Sequence, residues 1–253
     1  MKYGSMEDLF AGIAARYDEW YTTPLGQVVD ILEKDLFYRL AQPQPGEKVL
    51  DAGCGTGRLS AELAERGLYV TGIDCSDAML EVARARLGNH ERVQLYRGNI
   101  EALPLRESNF NLVVAFTVLE FTSRPDIALQ QLWRVVRPGG RLVVAVLNRL
   151  SLWARQRCKA PPESIWAHAH FFTPWELTRL IRQVAPGEPY VWSSAVFIPP
   201  WAGFYLIARA NFIERVCRPL LRPFGALIVL RVDKTRAASR CPEVTAFSRI
   251  FAQ

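Results

Sequence analysis

The chain has 253 residues, half of them hydrophobic, and a formal net charge of +6. That is enough apolar material for one sizeable domain, or for one domain with additions. The five cysteines, Cys54, Cys75, Cys158, Cys217 and Cys241, are widely spaced and include no C-x-x-C pair. This argues against a disulfide framework or a zinc site and for a reducing compartment. Met1 to Asp8 carry early acid and no apolar run, so no signal peptide is expected and a cytoplasmic location is.

Residues 1–45 read as a helical prelude. Val28, Ile31, Leu32, Asp35, Leu36 and Leu40 recur at three- and four-residue spacing and are mostly apolar, which predicts an amphipathic helix. Gln42-Pro43-Gln44-Pro45-Gly46 stops it. Next comes a short apolar strand ending in Asp51, a turn containing Gly53, Cys54, Gly55 and Gly57, and a helix from Arg58. Glycines at such a turn admit backbone conformations closed to other residues and let a ligand come close. The amide hydrogens at the start of the helix suit an anion. A dinucleotide site would need a third glycine where Arg58 stands. Asp51, two residues before Gly53, would repel a pyrophosphate but could receive an ammonium group. Both residues disfavour an NAD-dependent oxidoreductase.

The D-x-G-x-G-x-G pattern, with strand, acid and helix in register, resembles motif I of class I S-adenosylmethionine-dependent methyltransferases. The resemblance covers roughly residues 10–148. It implies an α/β fold with a Rossmann-like seven-stranded sheet, mostly parallel with an antiparallel last strand, and helices on both faces. It also implies S-adenosyl-L-methionine as cofactor and S-adenosyl-L-homocysteine as product. Ala14 to Tyr21 contain A-x-x-Y-D-x-W, which resembles the amino-terminal cap of ubiquinone- and menaquinone-type methyltransferases, where a tyrosine closes over the methionine end of the cofactor. Tyr17 inherits that role, with an aromatic core cluster as the alternative. Trp20 reads as core.

Further along, the second strand ends at Asp74, placed to accept from both ribose hydroxyls of an adenosine cofactor. Cys54 and Cys75 fall in the two cofactor loops. Ser76 caps a helix carrying Met79, expected in the adenine pocket or in the core. Asn99 stands where the family usually has an aspartate that accepts from the adenine amino group, and its carbonyl can still accept. Ile100 would pack on the adenine. Asn111 replaces a second family aspartate and reads as structural. Phe116 ends the fourth strand, Thr117 and Glu120 follow it, and all three are expected to face the cleft. Arg137-Pro138-Gly139-Gly140 turns the chain into the fifth strand.

Beyond Asn148 the family pattern thins. The chain divides into a cap (1–45), a cofactor-binding core (46–148) and a remainder of the same fold with substrate-side additions (149–253). Residues 1–148 hold 16 Lys+Arg against 19 Asp+Glu, and residues 149–253 hold 15 against 6. The basic part could face an anionic lipid surface, an acidic substrate or nucleic acid. Its arginines are spaced singly, so a solvated surface is the plainer reading and no nucleic-acid partner is expected. Residues 189–208 contain no charge. Pro199-Pro200 argue against a spanning helix there, leaving a sixth strand and an apolar lip that meets a hydrophobic acceptor or a membrane surface. The alternative is that Trp201 and Phe204 complete the core.

Methyl transfer from a sulfonium needs alignment and exclusion of water more than chemical groups. A hydroxyl or acidic-carbon acceptor would benefit from a base. Glu120, His168 and His170 are the candidates, Glu120 and His170 foremost, with Tyr21 and Asn148 behind them. His168 and His170 alone make a poor metal pair, and no metal is expected. The expected function is methyl transfer to a small, hydrophobic acceptor through oxygen, carbon or nitrogen. Thiol or arsenite methylation and a non-catalytic adenosine-binding module are the alternatives.

Overall fold

The computed structural model describes residues 6–236. Cys241 and most of the amino-terminal stretch read for a signal peptide lie outside them. Seven strands, β1 (Lys48–Ala52), β2 (Tyr69–Asp74), β3 (Val93–Arg97), β4 (Phe110–Phe116), β5 (Val136–Leu147), β6 (Tyr190–Ala195) and β7 (Leu227–Asp233), form one sheet in the order β3-β2-β1-β4-β5-β7-β6. β7 runs antiparallel between β5 and β6. The other pairings are parallel. The strand order reverses between β1 and β4, which opens a crevice at their carboxyl ends where ligands of such sheets bind.

Alternation along the strands sorts side chains into two core layers. Val49, Leu112, Val114 and Val143 face one layer with Leu63 and Phe37. Leu50, Val113, Ala115 and Val144 face the other with Leu129, Leu132 and Phe172. Both faces are covered, which is why these strands read as nearly continuous apolar runs.

The helices are α1 (Met6–Ile13), α2 (Pro24–Ala41), α3 (Arg58–Glu65), α4 (Asp77–Leu87), α5 (Pro125–Val135), α6 (Leu152–Arg157), α7 (Pro174–Val184), α8 (Phe204–Ala208) and α9 (Ala210–Leu220), with a 3-10 segment over Ala14–Thr22. Their starts follow local chemistry. Ser76 accepts from Met79 N–H at the head of α4, and Thr173 with Glu176 forms a capping box on α7 with Pro174 at its first position. Thr23 caps α2 ahead of Pro24. At the other end of α2, the buried Arg141 side chain donates to the carbonyls of Ala41 and Gln42 and pairs with Glu47. Arg231 donates to the Leu40 carbonyl. These arginines satisfy carbonyls that the helix end leaves open.

One expectation is corrected and one open alternative is closed. α2 is rotated from the expected stripe: Val29, Leu32, Leu36 and Phe37 are buried while Ile31 is exposed. Phe37 packs edge-on against Phe116 at 5.6 Å, so burial of the larger ring sets the rotation. Nor do Trp201 and Phe204 complete the core, since they are 67% and 79% exposed. After β6 the chain turns at Val196 (φ +67°), a costly conformation for a β-branched residue. The buried Glu214 carboxylate of α9 accepts from the Val196 and Phe197 amides, holding the turn and presenting α8 and α9 outward. Asn111 plays the structural part expected of it, accepting from Lys48 N–H at 3.0 Å.

Candidate active site

A cavity of about 480 Å³ lies over the carboxyl ends of β1, β2 and β4. Tyr17, Asp51, Gly53, Cys54, Gly55, Asp74, Cys75, Met79, Asn99, Ile100, Phe116 and Thr117 all line it. The glycine turn shapes one wall. Gly53 has φ +76°, and a Cβ there would run into the Val118 side chain. Gly55 has φ +52° with nothing within 4 Å of where its Cβ would stand, so its backbone faces the open cavity. Asp74 holds the turn in place, accepting from Gly55 N–H and Ser76 N–H at 2.9 Å each. Burial raises its carboxyl, against the pull of those amides. Asp51 accepts from the Ser60 hydroxyl at 2.6 Å. Burial pushes it up to about 6, the Ser60 bond opposes this, and Asp74 adds to it. Asn99 accepts from Glu101 N–H at 2.8 Å, using one of its carbonyl's two lone pairs.

The prelude closes over this wall. Asp18 accepts from the Thr56 hydroxyl at 3.0 Å and pairs with Arg86, while Arg86 donates to the Thr56 carbonyl. Arg58 pairs with Asp30 of α2 at 2.9 Å and lies 3.9 Å from the centre of the Tyr21 ring. Burial pushes the Tyr17 phenol up to about 12, with Glu120 raising it further, so Tyr17 keeps its proton at neutral pH.

A second cavity of about 540 Å³ meets the first at Tyr17, Tyr21, Thr117 and Phe121. Trp20, Trp153 and Trp166 wall it, and Glu33 and Arg157 line it. Trp20 is therefore at a cavity wall, edge-on to Trp153 at 6.0 Å. Thr117, at the junction, has φ +49°, a strained backbone of the kind found at functional sites.

A family profile described as "Methyltransferase domain" matches residues 50–144. A demethylmenaquinone methyltransferase of Clavibacter sepedonicus is 35% identical over 143 residues, 56% of this chain and 58% of its own. The chain spans only about half the length of several such relatives. A ubiquinone biosynthesis O-methyltransferase of Idiomarina loihiensis is 30% identical over 186 residues, 69% of this chain and 76% of its own. The chain belongs to the S-adenosylmethionine-dependent methyltransferases. A solved Thermotoga maritima structure, described as an S-adenosylmethionine-dependent methyltransferase and possible histamine N-methyltransferase, superposes with TM-score 0.70 at 24% identity, covering 91% of this chain and 100% of that one. That likeness speaks for the fold.

The wall of this methyltransferase fits its cofactor. Among the described residues Asp51 has no cationic partner, Asp74 offers a carboxylate across the glycine turn, and the Gly55 backbone is open between them. The expected bases are placed elsewhere. Glu120 is 1% exposed and lines neither cavity; its carboxylate accepts from Leu147 N–H, and among the described residues its second oxygen has no hydrogen-bond partner. His170 is bonded to Glu176 at 2.6 Å beside the start of α7 and His168 to the Pro162 carbonyl at 3.1 Å, and neither lines either of these two cavities. Asn148 is buried and donates to the Pro223 and Gly225 carbonyls. Among the candidate bases, only Tyr21 lines both cavities.

Glu33, Arg157, Trp153, Trp166 and Phe121 were not singled out by sequence reasoning. Glu33 stands four residues after Val29 and four before Phe37. A carboxylate inside the buried stripe would have been a signal had the stripe been placed correctly. Cys54 is buried, and burial pushes its thiol well up, while Cys75 is raised to about 11. Neither has the thiolate character that thiol-arsenic chemistry needs. Among the described residues, no group of three or more His, Cys, Asp or Glu side chains is placed to hold a metal ion.

Proposed function

We propose that this methyltransferase binds S-adenosylmethionine in the first cavity and methylates a small, largely apolar acceptor held in the second. The junction of the two cavities at Tyr17, Tyr21, Thr117 and Phe121 carries this reading. The cofactor supplies an electrophilic methyl group. Asp51 would hold its ammonium, Asp74 its ribose hydroxyls, Asn99 and Ile100 its adenine. Tyr17 and Tyr21, desolvated and protonated, would exclude water at the junction, which sharpens alignment and suppresses hydrolysis. The relatives named for ubiquinone and menaquinone biosynthesis and the aromatic walls favour a ring-bearing acceptor. Residues 1–45 then act as the cap, 46–148 as the cofactor site and 149–253 as the acceptor side. Isothermal titration calorimetry should show S-adenosylhomocysteine bound and NAD ignored. The reverse result would remove the reading.

The acceptor side also offers a membrane contact. Trp201, Phe204 and Tyr205 are 67%, 79% and 83% exposed, with Phe212 and Leu220 exposed beyond them. Arg209 and Arg215 are exposed among them, the mix of aromatic and basic groups that suits an anionic lipid interface. The Trp153 indole N–H donates to the Ile198 carbonyl at 2.8 Å, tying this patch to the wall of the second cavity. Among the described residues, no helix is long and apolar enough to cross a membrane, so contact would be at the surface. Flotation with phosphatidylglycerol vesicles should carry the protein upward. Trp201→Ser with Phe204→Ser should abolish this while the melting temperature holds, because neither side chain is buried. Wild-type protein left in the dense fraction would dismiss the contact.

A further inference from the structure

The second cavity contains two opposed charges that the protein leaves unpaired. Glu33 comes from α2 and Arg157 from the end of α6. Among the described residues, Glu33 makes no hydrogen bond or ion pair, and Arg157 has no carboxylate within ion-pair distance. The Arg157 guanidinium lies 4.2 Å from the centre of the Trp166 ring and 5.3 Å from that of Trp153. Stacking occupies the face of a guanidinium and leaves its N–H edge available, and that edge matches a carboxylate in bidentate fashion. Glu33 and Glu120 act on Arg157 only through space, so a cation desolvated among rings lacks a hydrogen-bonded counter-ion, and an anionic ligand group would supply one. Burial lowers Arg157, with Glu33 and Glu120 opposing the shift. Burial pushes Glu33 up to about 7, Arg157 and Lys34 pulling down and Asp30 and Glu120 pushing up. A carboxyl poised there suits proton transfer near neutral pH.

Resting on the methyl-transfer reading, we propose that the second cavity takes an aromatic hydroxy acid, its carboxylate on Arg157, its ring among Trp20, Trp153 and Trp166, and its hydroxyl toward Glu33. The acceptor oxygen bonds to the donor's methyl carbon as the carbon–sulfur bond breaks and its electron pair stays on sulfur. The hydroxyl proton passes to the Glu33 carboxylate. α2 suits this placement because Asp30 and Lys34 line the first cavity and Glu33 the second. A neutral acceptor would leave Arg157 unpaired, so the acid is the group that selects.

The test titrates 3,4-dihydroxybenzoate and catechol, which lacks the acid, into protein saturated with S-adenosylhomocysteine. The acid should bind more tightly than catechol. Arg157→Met should weaken the acid by about tenfold or more, the loss expected for a hydrogen-bonded charge, and leave catechol unchanged. Arg157→Lys should fall between. Glu33→Gln should leave affinity for the acid within about threefold but slow methyl transfer to it by about 100-fold, the usual weight of a proton acceptor. Equal binding of acid and catechol by the wild type, or a preference that survives Arg157→Met, overturns the carboxylate site. Transfer unaffected by Glu33→Gln, or absent in the wild type, overturns the role of Glu33. Retained binding of S-adenosylhomocysteine with no binding of the acid sinks this inference alone. Loss of both sinks the function on which it rests.

Discussion

Asp74→Ala is expected to weaken S-adenosylhomocysteine binding by about 100-fold. The Asp74 carboxylate accepts from Gly55 N–H and Ser76 N–H at 2.9 Å each, so it holds the glycine turn as well as facing the cavity. Hydrogen bonds to a charged acceptor contribute about 1.5–3 kcal/mol each, and about 1.4 kcal/mol is tenfold in affinity. Alanine removes the bond that anchors the glycine turn at Gly55, the bond to Ser76 at the head of α4 and the proposed acceptor for the ribose hydroxyls together. Asp74→Asn keeps one acceptor but presents an NH₂ group to one of the two amides, so it should fall between. Calorimetry decides, with a melting curve to show that the fold persists. An unchanged affinity for the alanine variant would remove Asp74 from the cofactor site.

Glu120→Gln should flatten the dependence of stability on pH. Burial pushes the Glu120 carboxyl up to about 7, the Leu147 amide and Arg157 opposing the shift. Its folded value therefore lies above its ordinary, unfolded one, and the native state takes up a proton between the two. The associated stability is fully present below about pH 4.5 and is lost as pH rises through about 7. At about 1.4 kcal/mol per unit, this single group carries on the order of 3 kcal/mol. Asp51, raised to about 6, and Glu33, raised to about 7, act in the same direction. Urea unfolding at pH 5 and pH 8 should show the wild type losing stability and the variant losing less. Identical losses would mean that Glu120 is ionised throughout. Because Glu120 lines neither cavity, the variant should keep its affinity for S-adenosylhomocysteine.

The sheet, the glycine turn and the helix starts are legible in the chain's order of residues, because each is written in short-range spacing. Val49 to Arg58 specify strand, acid, turn and helix within ten positions, and Asp51, Gly53, Gly55 and Asp74 indeed line one cavity. Thr173 and Glu176 announce their capping box in the same local way. The direction of side chains whose neighbours are distant in the chain is set by long-range packing. Helical periodicity allows more than one buried stripe on α2, and the fit of Phe37 against Phe116 selects the one that brings Glu33 to a cavity. Trp20, Trp153 and Trp166 meet because the prelude folds back over α6, which no local spacing records. Glu120 stands just past β4, as an exposed cleft residue would, yet the Leu147 amide draws its carboxylate into the interior. Trp201 and Phe204 have the composition of core, but Trp201 lies in the turn before α8 and Phe204 at its start, and the chain that leaves β6 through the turn held by Glu214 carries both into the open.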